Sequence, residues 1–141
     1  MKYLGILLIL FGFSEIKAQE VTDYDLQNFA YAYSDMMKLN NKAQKEMADI
    51  IEKEGLDLEL YHAIDESKDS EYIPDVADEE FEKYDKVQPK ILAVMNKFDE
   101  AMEKSFKKHD LTKQKYKAIA ERVKQDYILQ AKLEKMMTRL R

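Results

Sequence analysis

The chain contains two histidines, and an imidazole can bind a metal or transfer a proton near neutral pH. Glu59 and His62 have Glu-x-x-His spacing, which on a helix brings carboxylate and imidazole to one face, as in di-metal four-helix bundles. Such a site needs a second Glu-x-x-His, but His109 has Phe106 where the glutamate would stand. We therefore predict no metal, and we interpret His62 as a surface or half-buried side chain.

Other reactive groups are scarce. The chain contains no Cys, which excludes a thiol nucleophile, a disulfide framework and a Cys-ligated metal. It contains 3 Gly, too few for a glycine-rich phosphate loop. No order of Ser, His and Asp along the chain suggests a nucleophilic triad. The sequence thus predicts a protein that is not an enzyme, with no catalytic residue and no cofactor.

Four polar residues fall where helices are expected to pack. Asn40 and Gln44 lie on the apolar stripe of a first long helix, and Gln88 and Asp99 lie on the matching stripe of a second. They could line a small polar pocket between two hairpins. Alternatively, they fix the register of helix packing, as polar residues at such positions do.

Charge is divided unevenly along the chain. Residues 65–82 hold nine carboxylates and one lysine, a net charge of −8, whereas residues 113–141 hold nine basic and three acidic residues. A calcium loop does not fit the acidic segment, because Val76 stands where an EF-hand needs glutamate. The basic segment could contact anionic lipid or an acidic partner, or the two segments could compensate each other. With a sequence pI near 5.2, nucleic acid is not an expected partner.

The elements that position these residues are helices. With 3 Gly, 2 Pro and 36% charged residues in 141, the composition is typical of long helices and not of a β-sandwich. Apolar residues recur at alternating steps of three and four from Leu26 to Ile51, which predicts an amphipathic helix. Thr22 with Asp25 forms a cap signal and Gly55 a stop signal, so we expect a helix over residues 23–54. Asp57 is expected to cap a second helix.

An internal repeat follows from a shift of 55 residues, which places Asp23 on Asp78 and Met47 on Met102. The units are residues 22–66 and 77–121, and the last helix is expected to continue to 140. Each unit has a long helix, a break and a helix with a Leu, Tyr, Ile signature, formed by Leu56, Tyr61, Ile64 and by Leu111, Tyr116, Ile119. Pro89 should bend the second long helix.

The predicted fold is all-α, with two helical hairpin repeats packed as a four-helix bundle around long helices 1 and 3. An extended coiled coil that dimerises is the alternative. A homo-oligomer fits either arrangement.

Residues 1–18 have the order of a cleaved export signal: Lys2, an apolar run over residues 3–13 and a polar end at Ala18. That run is shorter than the roughly 20 residues of a membrane span, and no transmembrane segment follows it. We therefore expect an exported protein, periplasmic or extracellular, with a single helical domain over residues 19–141.

The motifs at residues 22–33, 54–64, 110–119 and 126–133 resemble a bacterial secreted family catalogued as domain of unknown function 4168. The resemblance covers nearly all of the chain after residue 18. It implies an exported helical bundle with no catalytic residues to carry over. Asp110, where the first unit has Gly55, and Pro89 depart from exact repeat symmetry.

Three function hypotheses follow. The first is a protein-interaction or chaperone-like module that presents an apolar, Met- and Tyr-lined face to other envelope proteins. The second is a structural envelope component that oligomerises through its long helices. The third and weakest is a metal-dependent enzyme centred on Glu59 and His62.

Overall fold

The computed structural model describes residues 20–72 and 74–140, and within them it contains helices and no strand. The helices are α1 (Asp23–Lys53), α2 (Leu58–Ser67), α3 (Asp78–Lys108), α4 (Lys113–Gln125) and α5 (Tyr127–Arg139). The all-α prediction is confirmed, with α1 and α3 as long helices that pack against each other. The export signal predicted over residues 1–18 lies outside the described residues. None of the described helices is both long and apolar enough to cross a bilayer.

The helix starts follow the predicted side-chain caps. The Thr22 hydroxyl accepts a hydrogen bond from the Asp25 amide and the Asp25 side chain accepts one from the Thr22 amide, which completes a capping box at α1. Asp57 caps α2 in the same way, through the amides of Glu59 and Leu60. Helix α1 ends one residue before the predicted limit. Helix α2 continues to Ser67, one residue beyond the predicted end of the first repeat unit at residue 66.

The prediction of one continuous last helix to residue 140 is wrong, because Asp126 divides it into α4 and α5. The backbone of Asp126 is extended, and its carboxylate accepts hydrogen bonds from the amides of Ile128 and Leu129. The Gln130 side-chain amide bonds the carbonyls of Val123 and Lys124 at distances of 2.8 and 3.1 Å. A new helix therefore starts where the old one ends.

The two long helices are antiparallel and offset. Lys97 bonds Glu46 at 3.7 Å and Lys90 bonds Glu54 at 3.1 Å, so residue numbers rise along α3 as they fall along α1. From this register each long helix extends about three turns beyond the other. Helix α3 remains helical through the exposed Pro89.

The buried apolar residues form two separate clusters. The α2 core contains Ile51, Leu56, Tyr61, Ile64, Tyr84, Val87 and Ile91. The α4 core contains Leu26, Phe29, Ala32, Met102, Phe106, Leu111 and Ile119, with Tyr116 packed against it. Each core thus joins the end of one long helix to the start of the other, so neither core belongs to one repeat unit alone.

The two cores use equivalent positions of the 55-residue shift. Leu56 and Ile64 lie in the α2 core where Leu111 and Ile119 lie in the α4 core. The residues that end the long helices correspond too: Gly55 has φ +75° and Asp110 has φ +51°. Asp110 therefore makes the same left-handed turn as the glycine it replaces, and this departure from the repeat leaves the path of the chain unchanged.

Candidate functional site

A groove runs between α1 and α3 near the middle of their contact. It has a volume of about 130 Å³ and is lined by Leu39, Lys42, Ala43, Glu46, Val94, Lys97, Phe98 and Ala101. These residues are four pairs of the 55-residue shift: 39 with 94, 42 with 97, 43 with 98 and 46 with 101. The groove therefore lies where the two units meet at equivalent positions.

A second cavity of about 370 Å³ adjoins the first toward the α4 core. It is lined by Asp35, Lys38, Leu39, Ala101, Lys104, Ser105 and Lys108. Because Leu39 and Ala101 line both cavities, they form one depression. We call the two together the central groove.

The central groove has an apolar floor and a basic rim. Leu39, Ala43, Val94, Phe98 and Ala101 supply the floor. Five lysines stand around it: Lys38, Lys42, Lys97, Lys104 and Lys108, all exposed. The rim therefore has more cations than its carboxylates, Asp35 and Glu46, can neutralise.

The pairing of those carboxylates leaves most of the lysines uncompensated. Glu46 contacts Lys97 at 3.7 Å, and Asp35 is held by residues of α3 and its C-cap. Among the described residues, Lys38, Lys42 and Lys104 make no ion pair within 4.0 Å. The basic rim thus has capacity for an external anion.

Asp35 is the one carboxylate at the wide end of the groove. Its Oδ2 accepts a hydrogen bond from Ser105 Oγ at 2.9 Å and lies 3.0 Å from His109 Nε2. Burial raises the pKa of Asp35, but hydrogen bonds from His109 and Ser105 and the charge of Lys108 outweigh it, so the pKa falls below its ordinary value. Tyr31 stacks on the His109 ring at 5.4 Å. The cluster ties α1 to the end of α3.

The Asp35 cluster holds the residue types of a nucleophilic triad in a different arrangement. In a triad the imidazole lies between hydroxyl and carboxylate and accepts the hydroxyl proton. Here Asp35 lies between the other two, and the Ser105 hydroxyl donates to the carboxylate. This geometry does not place His109 to activate Ser105, so the cluster is suited to fixing the helices and shaping the groove wall.

The four polar residues that could line a pocket or fix the packing register are not gathered at one place. Asn40 and Gln44 are half-buried and Asp99 is exposed. Gln88 lies at the other end of α3, where its side-chain amide donates to the Tyr61 hydroxyl at 3.1 Å. None of the four lines the central groove.

The reason is a different choice of packing face. The structure buries Tyr84, Val87, Ile91 and Val94 on α3. It leaves Leu92 and Met95 exposed, together with Asp99, which the sequence placed on the packing stripe. The buried stripe of α3 therefore lies to one side of the stripe that the 55-residue shift predicts from α1.

The α2 core carries its own polar contacts. The Tyr84 hydroxyl donates to Asp65 at 2.6 Å, and burial together with this carboxylate raises the pKa of Tyr84.

Glu59 and His62 are exposed on α2, and no group of three His, Asp or Glu residues within residues 20–72 and 74–140 is arranged to hold a metal ion.

The comparisons with known proteins identify the family. Residues 22–133 match the family described as domain of unknown function (DUF4168), so the chain belongs to this family. No curated protein and no solved structure matches the chain.

Sequence reasoning missed the Asp35 cluster and the central groove, although the repeat held a signal for one of them. The 55-residue shift pairs Asp35 with Lys90 and Glu54 with His109. In each pair an acidic residue in one unit corresponds to a basic residue in the other. The structure shows that these residues form two contacts at equivalent positions, Lys90 with Glu54 and His109 with Asp35.

Proposed function

We propose that the protein is an exported binding module of the cell envelope, and that its central groove holds an acidic, partly apolar segment of another envelope protein. The observation that carries this proposal is the combination of an apolar floor with a lysine rim whose charges are mostly uncompensated within the described chain. Export is expected from the signal-like order of residues 1–18.

The chemistry of the groove selects the partner. Phe98, Leu39 and Val94 can contact two or three apolar side chains, each worth about 1.5–3 kcal/mol when fully buried. Lysines at an exposed rim add about 0.2–1 kcal/mol per ion pair. Because association itself costs about 4 kcal/mol or more, such a groove supports only weak binding, on the order of 0.1–1 mM. A segment with carboxylates on both sides of an apolar stripe fits both features.

The proposal is tested with a synthetic helical peptide that has Leu on one face and Glu on the others, labelled for fluorescence anisotropy. A triple variant, Lys38→Glu, Lys42→Glu and Lys104→Glu, reverses the charge of three of the five rim lysines and leaves the floor unchanged. We expect peptide affinity to fall by about tenfold or more at low salt. Lys38, Lys42 and Lys104 are exposed, so the fold should be unaffected.

A second triple variant supplies the matched control. Lys45→Glu, Lys53→Glu and Lys86→Glu change exposed lysines outside the groove lining by the same total charge. Peptide affinity should fall by no more than about threefold in this variant, through the general field alone. An equal loss in both variants, or no binding of the peptide to the unaltered protein, would overturn the assignment of the groove.

The chaperone-like form of the proposal predicts low sequence selectivity. If the groove reads only an acidic and apolar pattern, scrambling the peptide within that pattern should leave its affinity within about twofold. The protein at several-fold excess should then also slow aggregation of an acidic client, measured by light scattering. Strong discrimination among the scrambled peptides would point instead to one dedicated partner.

A further inference from the structure

The corner between α4 and α5 presents two large apolar side chains to solvent. Tyr127 is 85% exposed and Ile128 is 71% exposed, the highest values among the described large hydrophobic residues. They are exposed because Asp126 starts a new helix, in which Leu129, Leu133 and Met136 supply a half-buried stripe against the α4 core. Tyr127 and Ile128 fall outside that stripe.

Cations continue this surface along one side of α5. Lys132, Lys135 and Arg139 follow Ile128 by four, seven and eleven residues, which is the spacing of one helix face. All three are exposed. Glu134 is the one acidic residue within α5. We call Tyr127, Ile128, Lys132, Lys135 and Arg139 the corner surface.

The opposite end of the molecule has the reverse charge. The segment between α2 and α3 lies within the acidic stretch of residues 65–82, which has a net charge of −8, and it carries Tyr72, 67% exposed. The corner surface lies beside the start of α1, where Lys132 bonds Asp23 at 2.7 Å. Because the antiparallel long helices separate the two ends, an anionic surface would attract the corner and repel the acidic segment.

We propose that the corner surface is a peripheral membrane contact, with Tyr127 and Ile128 seated among the headgroups of a bilayer that contains anionic phospholipid. Tyrosine favours the membrane–water interface, where its ring is apolar and its hydroxyl remains hydrated. Lysines and an arginine on the same face attract anionic headgroups. The central groove lies on other residues, so this contact is independent of the function proposed for the groove.

A single tryptophan reports the contact directly, because the chain contains no Trp. The variant Tyr127→Trp carries this fluorophore in the corner and is the corner probe. The variant Tyr72→Trp carries it at the acidic end and is the matched acidic-end probe. With vesicles of phosphatidylcholine and phosphatidylglycerol, the emission of the corner probe should move to shorter wavelength, and high salt should reverse the shift. The emission of the acidic-end probe should not move, nor should that of the corner probe with phosphatidylcholine alone.

Co-sedimentation with the same vesicles measures the residues' contributions. The pair Tyr127→Ser and Ile128→Ser, and separately the pair Lys135→Glu and Arg139→Glu, should each weaken vesicle binding by about tenfold. Tyr72→Ser should leave it unchanged. All variants carry the same N-terminal residues, so any contribution of that segment is common to them. Circular dichroism checks that each variant is folded.

Two results would overturn the membrane contact. One is an emission of the corner probe that does not respond to anionic vesicles, or that responds no more than that of the acidic-end probe. The other is unchanged vesicle binding by the Tyr127→Ser, Ile128→Ser variant. A corner that serves a protein partner would give both results.

Discussion

The two ends of the molecule place equivalent residues in equivalent positions but join them by different chemistry. At the α2 end, Lys90 and Glu54 form an ion pair at 3.1 Å. At the α4 end, Asp35 and His109 occupy the equivalent positions, and the buried Ser105 also donates a hydrogen bond to Asp35. The comparison shows that apolar packing was kept in both units, whereas polar contacts diverged.

The two signature tyrosines, Tyr61 and Tyr116, also make different polar contacts. Tyr61 accepts a hydrogen bond from Gln88 in the α2 core. Tyr116 donates to the Met36 sulfur at 3.4 Å and stacks on Phe29, and burial raises its pKa. The hydroxyl of Tyr116 thus contacts a sulfur where that of Tyr61 contacts an amide, and α5 enlarges the α4 core. Both candidate surfaces, the wide end of the central groove and the corner surface, adjoin this end.

The largest expected effect tests whether the two cores are energetically equivalent. Ile64→Ala and Ile119→Ala each remove a buried side chain at matching positions, so each should lower the free energy of unfolding by about 2–5 kcal/mol. Urea denaturation followed by circular dichroism measures both. A loss below about 1 kcal/mol at either position would show that this end contributes little to the packed fold.

The second prediction sharpens the contrast between the two polar pairs. Asp35→Ala leaves the buried Ser105 hydroxyl without its acceptor, so it should cost about 1–3 kcal/mol. Lys90→Ala removes an exposed lysine from its pair with the half-buried Glu54 and should cost no more than about 1 kcal/mol. Equal losses in the urea midpoints would remove the distinction between the ends.

Acid titration gives the third prediction, because the pKa of Asp35 is lower in the folded protein than its ordinary value. The stabilisation from this carboxylate is therefore complete above the ordinary pKa and is lost as pH falls through the folded value. Between about pH 5 and pH 3, the free energy of unfolding should decline less steeply in Asp35→Asn than in the unaltered protein. The difference should be less than about 1 kcal/mol, because Asp35 is accessible to solvent. An unchanged slope in this variant would contradict the lowered pKa.

The fourth and smallest effect concerns the helix starts. Thr22 caps α1 through a capping box, whereas Ala77, with a similar extended backbone, gives α3 no side-chain cap. Thr22→Ala should cost about 1 kcal/mol, and Ala77→Thr, with Glu80 in the third helical position, should gain several tenths of a kcal/mol. Thermal unfolding of both variants measures the difference. A destabilising Ala77→Thr would show that the start of α3 cannot accept the cap.

Local signals in the sequence were sufficient for most of the fold. Thr22, Asp57 and Gly55 are residues whose side chain or backbone freedom acts within four residues, so they located helix ends without tertiary information. Asp126 is the same kind of residue, but it lies where the sequence predicts one continuous helix to residue 140, so its cap signal did not mark a break. Tyr127, the next residue, is exposed in the structure.

The candidate site could not be obtained from the sequence, because it depends on how two distant helices face each other. Helix α3 packs through the stripe next to the predicted one. Asp99 is therefore exposed, and Val94 and Phe98 pack inward. The meeting of Asp35 with Ser105 and His109 spans at least 70 residues. Such pairings depend on the register of α1 against α3, which no local pattern encodes.

Hydrogen–deuterium exchange with and without the Leu/Glu peptide tests most directly the claim that the central groove is the binding site. The account predicts added protection in residues 35–46 and 94–108, because these segments line the groove, and none at the α4–α5 corner. Protection elsewhere, or an unchanged exchange pattern at saturating peptide, would contradict it.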